Sequence, residues 1–472
     1  MKKWIRTAAL VFSCLFMFQT QAQAASLKDF ETAEEVFQYI QDFYIQELNE
    51  ETLEEQVIYG LIQSLNDPYT NYISPEKKEY MAEDGYIQIG IDYVIDQEGV
   101  QIIHVYEGTS ADEAGLMVGD KVTFINGESK SDLDYYDMDE ALTGEKDTEL
   151  TLTIDRDGKQ LEVSVKRQFI EQYLIESKMV DDHVGYVLLW EFHEKSGELF
   201  ARHLEQLKQQ GMDSLILDLR YNSGGYIDVL DQIAKQFWEK AILMHTMDRN
   251  GVKTPHVITG GTELDIPIVV LVNESSASAS EILAGALQDY DRATIIGTYT
   301  YGKARMQDVL PLSNGGLLSL TSEAYLTPDM HDIQDIGIEP DIYVDEYYSQ
   351  MFTAFQELGV NSITLVDHDY YTLVNGIKSY YYVPGLESYK DRYYVSSELL
   401  NHFVPIEVQS NDDFAEVVVH LAGKDITLKQ SHGEFIVVDS EIYISVPFIH
   451  AWIPNFNVTN QDGYAVLTYN TK

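Results

Sequence analysis

Five consecutive apolar residues, Ile268-Val-Val-Leu-Val272, leave the chain around them little choice. A run of that length without polar alternation is a strand buried on both faces, and such a strand belongs in the interior of a sheet covered by other layers. Next comes a serine-rich turn, Asn273-Glu-Ser-Ser-Ala-Ser-Ala-Ser280, followed by Ile282, Leu283, Ala286 and Leu287 at helical spacing. The turn therefore sits at a helix N-terminus, where unpaired N–H groups and the positive end of the helix dipole can stabilise an oxyanion. Ser275, Ser276, Ser278 and Ser280 compete for the place of a nucleophile. The same letters also have a purely structural reading: Ser278-Ala-Ser-Glu281 is a capping box, with a serine at the N-cap and a glutamate three residues on.

Three further segments bear on that choice. Asp218-Leu-Arg-Tyr-Asn-Ser-Gly-Gly225, Thr300-Tyr-Gly-Lys-Ala-Arg-Met-Gln307 and Gly337-Ile-Glu-Pro-Asp341, taken with Ser276-Ala-Ser-Ala-Ser-Glu281, resemble the motifs of the carboxyl-terminal processing peptidases, or tail-specific proteases. The resemblance covers about residues 27 to 344. It implies a serine endopeptidase working through an acyl-enzyme, with Ser278 as nucleophile, Lys303 as general base and Gln307 orienting the lysine. Gly224 and Ala279 would supply the N–H groups of the oxyanion hole. Ser223 stands where the family usually has proline, and Ala304 where it usually has glycine.

The chemistry explains the residue types. A serine hydroxyl needs a base, and lysine is a base only when neutral. Free lysine titrates near ~10.4, so a shift of roughly three units, about 4 kcal/mol against the charged form, is required. The residues around Lys303 (Tyr299, Thr300, Tyr301, Gly302 and Ala304) are uncharged, which suits desolvation, and Arg305 would oppose a second positive charge. Gln307 can hold the amine without charge, which a carboxylate could not do without raising the lysine pKa. An isolated lysine with no such company would be a solvated loop residue.

Taken in order, residues 1–24 read as a signal peptide: Lys2, Lys3 and Arg6 precede an apolar run from Ala8 to Phe18, and Ala22-Gln-Ala24 is a small-residue cleavage signal. The expectation is export to the cell envelope or exterior, with an uncleaved anchor as the alternative. Cys14, the only cysteine, lies inside that run, so the mature chain would have neither a disulfide nor a thiol nucleophile. The 472 residues carry 78 acidic against 31 basic side chains, a net charge of −47, which becomes −50 once the three basic residues of the leader are removed. Such a surface excludes nucleic acid and anionic membrane as partners.

The expected fold is multidomain α/β and β. Residues 25–84 are helical, with Phe30, Ala33, Val36, Phe37 and Ile40 on one face and Val57, Leu61, Ile62 and Leu65 on another. In the family the corresponding region helps form dimers, so a homodimer is expected. Residues 85–168 resemble a PDZ domain through Gly108-Thr-Ser-Ala-Asp-Glu-Ala-Gly-Leu116 and Gly119-Asp-Lys-Val-Thr-Phe-Ile-Asn-Gly127. Within it, Ile87, Gln88, Ile89, Gly90 and Ile91 match the loop whose N–H groups capture a peptide's C-terminal carboxylate, so the implied substrates are proteins or peptides with free apolar C-termini. Residues 169–346 alternate strand and helix, which implies an α/β sheet, and the resemblance makes them the serine protease core, of crotonase/Clp-like α/β type. Residues 347–472 are β-rich with a weak internal repeat: Tyr393-Tyr-Val-Ser-Ser-Glu-Leu-Leu400 parallels Tyr443-Ile-Ser-Val-Pro-Phe-Ile449, with Gly376 and Gly423 at hairpin positions. They resemble modules named after the N-terminal domain of copper amine oxidases, a name that implies no copper here. Such a module is either a structural appendage or a binder of cell wall or a protein partner.

No metal or cofactor is expected. His193-Glu-Lys-Ser-Gly197 begins like a zinc-binding helix but no second histidine follows, and there is no phosphate loop, dinucleotide fingerprint or Gly-x-Ser-x-Gly elbow. Two other functions stay open on the sequence. One is a catalytically inactive PDZ scaffold in which Ser278 is only a cap; the other is a crotonase-like acyl-CoA enzyme, which would leave the PDZ segment unexplained.

Overall fold

The computed structural model describes residues 31–471, except 46–49, 76–84, 130–137, 380–384 and breaks of one or two residues. The leader segment and Phe30 lie outside the described residues. One sheet has six strands in the order Ile175–Met179, Val184–Leu189, Ser214–Asp218, Ile268–Val272, Thr294–Gly297, Ile342–Tyr343. The first pair is antiparallel and the remaining pairs are parallel. Helices Ser196–Gln209, Ile227–Ala234 and Ala279–Asp289 lie on the first three crossovers, and the hairpin Arg305–Pro311/Leu317–Leu326 on the fourth, as parallel pairing requires connections longer than a turn.

The unbroken apolar run at 268–272 has a direct cause. Ile268, Val270 and Val272 point into the helical layer, among Phe200, Leu230, Ile282 and Leu283. Val269 and Leu271 point the other way, into a second core with Phe352 and Phe355 of helix Tyr347–Glu357. Strand side chains alternate between faces, so a strand covered on both sides must be apolar at every position. The second cover comes from the C-terminal region, whose core is continuous with the back of the sheet. Lys178 Nζ donates to Gly376 O at 3.0 Å, and Asn375 Nδ2 to Val180 O at 3.0 Å, across the same boundary.

Within the C-terminal region one order of elements occurs twice. Hairpin Leu386–Tyr389/Arg392–Ser396 leads to helix Ser397–Phe403 and hairpin Ile406–Ser410/Glu416–Leu421. Hairpin Phe435–Val438/Glu441–Ser445 leads to helix Val446–Trp452 and hairpin Phe456–Gln461/Tyr464–Asn470. Buried Ser396 caps the first helix, its Oγ accepting from Leu399 N at 3.0 Å, and buried Ser445 stands at the start of the second. Gly376 and Gly423 take φ of 75° and 76° in tight turns, a conformation that glycine adopts without strain.

The segment 85–171 has its own core, including Ile89, Ile91, Ile102, Leu152 and Ile154, around strands Ile91–Asp96, Gly99–Val105, Lys121–Ile125, Glu149–Arg156 and Lys159–Lys166. Toward the N-terminus, helices Glu31–Phe43 and Glu50–Gln63 keep their apolar faces largely open: Val36, Phe43, Val57, Leu61 and Leu65 are exposed, and the first helix buries no residue. The periodicity marks these faces as packing surfaces, and the described residues cover them only in part, at Phe37, Ile40 and Ile62. Past the second helix the chain returns to the core, where strand Asn71–Ile73 pairs with Leu317–Leu326.

Phe355→Ala is expected to remove about 3–5 kcal/mol, because its ring is fully buried between sheet and C-terminal region and leaves a cavity there. Urea unfolding followed by fluorescence should show a lower midpoint for one common transition. An unchanged midpoint would show that the C-terminal region is an independent appendage.

Candidate active site

The sheet delivers two turns to its C-terminal edge, after Ser214–Asp218 and after Ile268–Val272, where α/β folds place their chemistry. Of the four candidate serines, two hydroxyls are already committed. Ser276 Oγ donates to Leu219 O at 2.8 Å and Ser280 Oγ to Asn222 O at 2.9 Å, both in fully buried residues. Ser275 and Ser278 are half-buried. Ser278 alone of the four has positive φ, with φ 55° and ψ −113° at the N-cap of helix Ala279–Asp289. That is a sparsely populated region for a non-glycine residue, costing on the order of 1–3 kcal/mol and characteristic of functional turns.

The turn is braced from the neighbouring strand end. Ala277 N donates to Asn222 O at 3.0 Å, and the buried Asn222 side chain donates to Leu189 O at 2.8 Å. Gly224 lies hard against the turn at φ 105°: a Cβ there would come within 2.8 Å of Ala277 O and of Ser278 Cβ. The two expected oxyanion donors differ in state. Ala279 opens the helix, so its N–H has no intrahelical acceptor. The Gly224 N–H is already taken by Asn222 Oδ1 at 2.9 Å.

Arg220, in the same turn, is fully buried. Its Nε donates to Asp218 Oδ1 at 2.9 Å, Nη1 donates to Tyr347 O at 2.9 Å, and the guanidinium stacks 3.7 Å from the Tyr347 ring. The turn beside the serine is thus anchored to the helix that begins the C-terminal region.

Lys303 is half-buried, and burial lowers its pKa from the ordinary 10.5, against the opposing charges of Glu281 and Asp67. Its Nζ lies 5.2 Å from the centroid of the Tyr69 ring. Ala304 does not take a positive φ, so glycine is not needed there; its N–H donates to Gln334 Oε1 at 2.9 Å. The Gln307 amide donates to Arg305 O at 3.1 Å and Thr321 Oγ1 at 3.3 Å. Among the described residues no hydrogen bond joins it to the Lys303 amine.

Glu281 joins the serine turn to the lysine loop. Its carboxylate is fully buried and accepts from four donors: Thr300 Oγ1 at 2.6 Å and Gly302 N at 2.7 Å on Oε1, Ser278 N at 2.9 Å and Lys303 N at 2.9 Å on Oε2. Burial pushes this carboxyl above the usual range, opposed by the four hydrogen bonds. Buried Tyr325 makes a second tie, its hydroxyl donating to Lys303 O at 2.8 Å and lying 3.3 Å from Ser278 O.

Comparison with known proteins places the chain in a family. Residues 183–344 match the model of peptidase family S41, residues 80–155 that of the PDZ domain, and residues 4–77 that of the activating protease CtpB N-terminal domain. A carboxy-terminal-processing protease of Bartonella bacilliformis is 32% identical over 332 residues, 68% of this chain and 76% of that one. The carboxy-terminal processing protease CtpB of Bacillus subtilis is 31% identical over 341 residues, 70% and 71% of the two chains. The chain belongs to the carboxy-terminal processing protease family. Among solved structures, the photosystem II D1 C-terminal processing protease is 25% identical, with a TM-score of 0.45, over 68% of this chain and 88% of that one.

This serine peptidase therefore acts on peptides or proteins, and its site uses residues that sequence reading passed over. Glu281 was legible as a helix cap, but its partners at 300–303 lie too far along the chain for a capping rule to reach. Tyr69 carries no signal, standing just past the second helix in a stretch without a chemical motif. Among the described residues no cluster of histidine, cysteine, aspartate or glutamate is placed to hold a metal.

Glu281→Gln keeps the shape of the side chain but replaces one acceptor oxygen by an amide that faces N–H groups. The misplacement of serine turn against lysine loop should cut kcat/KM by about 10²-fold, with the circular dichroism of the fold retained. Activity within twofold of the parent would show that the carboxylate does not hold the site together.

Proposed function

We propose that the enzyme is an exported endopeptidase in which Lys303 activates Ser278 and the PDZ domain engages substrate C-termini. The observation that carries this reading is the shared carboxylate: Ser278 N and Lys303 N donate to the same Glu281 oxygen, so the serine turn and lysine loop are held to one geometry. Lys303 takes the Ser278 proton, Ser278 Oγ adds to the scissile carbonyl, and the amine leaves with that proton to give an acyl-enzyme. Water then adds to the ester carbon, giving a proton to Lys303, which passes it to the departing serine.

Ala279 N–H is the principal oxyanion donor in this scheme, joined by Gly224 N–H when it turns from Asn222. Gln307, on the strand Arg305–Pro311 that follows Lys303, is the residue proposed to steady the neutral amine. Strain at Ser278 supports the nucleophile over the cap, since a cap has no need of such a backbone. Export rests on the leader sequence, and among the described residues no helix is long and apolar enough to cross a membrane. The largely open faces of the first two helices support a homodimer. The C-terminal region, while bracing the core, is the place for a cell-wall or protein partner.

Ser278→Ala and Lys303→Ala should each abolish cleavage of an unfolded reporter protein while leaving the fold intact, because neither half of the pair acts alone. The base works only when neutral and its pKa is lowered by burial, so kcat/KM of the parent should rise with pH along a limb centred below 10.5. Clear cleavage by either variant, or a pH-independent rate with chemistry limiting, would overturn the assignment.

A further inference from the structure

The peptide-capture loop of the PDZ domain already has an occupant. Gln88 ends the strand Gly85–Gln88, is 4% exposed, and turns its carboxamide back on its own loop. Gln88 Oε1 accepts from Gly90 N at 3.1 Å and from Ile91 N at 3.0 Å. These N–H groups belong to the loop that the domain offers to a C-terminal carboxylate, and an sp² oxygen of the same protein fills their aim.

The loop has little freedom to offer them elsewhere. Ile89 O accepts from Ala111 N at 3.1 Å and Gly90 O from Tyr106 N at 3.0 Å, so the flanking peptide planes are fixed. Gly90 has φ 96° and is pressed against Thr109, where a Cβ would come within 2.4 Å of that side chain. The strand that carries Gln88 is paired with Gln168–Glu171 rather than with the PDZ sheet. The Gln88 side chain can therefore leave by rotating its own torsions while the loop stays in place.

We propose that Gln88 is a built-in surrogate for the substrate's terminal carboxylate, so that a peptide enters by displacing its carboxamide and Gln88 sets how tightly a C-terminus must bind to be held. This rests on the reading that the loop captures carboxylates. Displacement exchanges one acceptor for another on the same N–H groups. A free carboxylate makes charge-assisted bonds roughly twice as strong as neutral ones, so it wins the exchange. An amidated terminus offers only another neutral carbonyl and gains nothing over Gln88. The side chain lowers the affinity for every peptide by holding most of the population closed, and only a charged terminus recovers the loss.

The test uses the full chain carrying Ser278→Ala, so that peptide is bound and not cut. Fluorescence anisotropy measures Kd for a labelled peptide ending in three apolar residues, as free acid and as C-terminal amide. Gln88→Ala should tighten the acid by about fivefold or more, and the amide at least as much, because the open fraction rises. Gln88→Glu, of the same shape but charged, should weaken the acid about tenfold by like-charge repulsion and a stronger internal bond. If Gln88→Ala leaves both affinities unchanged while acid still exceeds amide, the surrogate role is overturned and carboxylate capture stands. If acid and amide bind equally in the parent and both variants, carboxylate capture itself fails and the surrogate role with it. Should Gln88→Ala disturb the domain, the isosteric Gln88→Glu still decides: acid binding equal to the parent contradicts the proposal.

Discussion

One buried carboxylate holds the serine turn and the lysine loop together. Glu281 has no solvent to satisfy it, so its charge is tolerable only because four donors converge on it. Those donors come from both the serine turn and the lysine loop, Ser278 on one side and Thr300, Gly302 and Lys303 on the other. Helix, serine turn and lysine loop are therefore bound to a common point. The arrangement has an electrostatic cost, since the same negative charge favours protonated Lys303. Desolvation of the amine prevails over it, with the Tyr69 ring, brought in from a distant segment, lying 5.2 Å from Nζ.

Around this junction the scaffold is braced from two directions. Asn222 ties the glycine turn to the serine turn, and Arg220 ties it to the helix that opens the C-terminal region. A buried ion pair such as Asp218–Arg220 contributes little net stability against apolar alternatives, yet removing one partner strands the other, which makes it a strict positional device. The C-terminal region thereby acquires a role that its β-rich composition did not suggest: it covers the back of the catalytic sheet and fixes the residue that shapes the turn beside the serine.

Local structure was the most legible part of the sequence. The run at 268–272, the turn and the helix are adjacent in the chain, and periodicity alone places them. Gly224, which accepts no Cβ beside Ser278, and Gly376 and Gly423 in tight turns could be anticipated from glycine's conformational freedom. What sequence reading missed was contact between distant segments. Thr300 meets Glu281 across 19 positions, and Tyr69 meets Lys303 because a short strand at 71–73 pairs with residues 317–319. Asn222 competing for the Gly224 N–H, and Gln88 for those of Gly90 and Ile91, were illegible for another reason. They depend on side-chain torsions, which residue identity leaves open. The first two helices show the converse: their apolar stripes are plain in the sequence, but periodicity says only that a face is to be covered, not by which chain.

The central claim is that Lys303, held to the serine turn through Glu281, activates Ser278 as a nucleophile. Its most direct test is mass spectrometry of the enzyme quenched in acid during turnover of a peptide substrate. An adduct equal to the acyl half of the peptide is expected on the fragment carrying Ser278, forming faster as pH is raised and absent from Lys303→Ala. An adduct on Ser275, or one that forms at the same rate without Lys303, would contradict the claim.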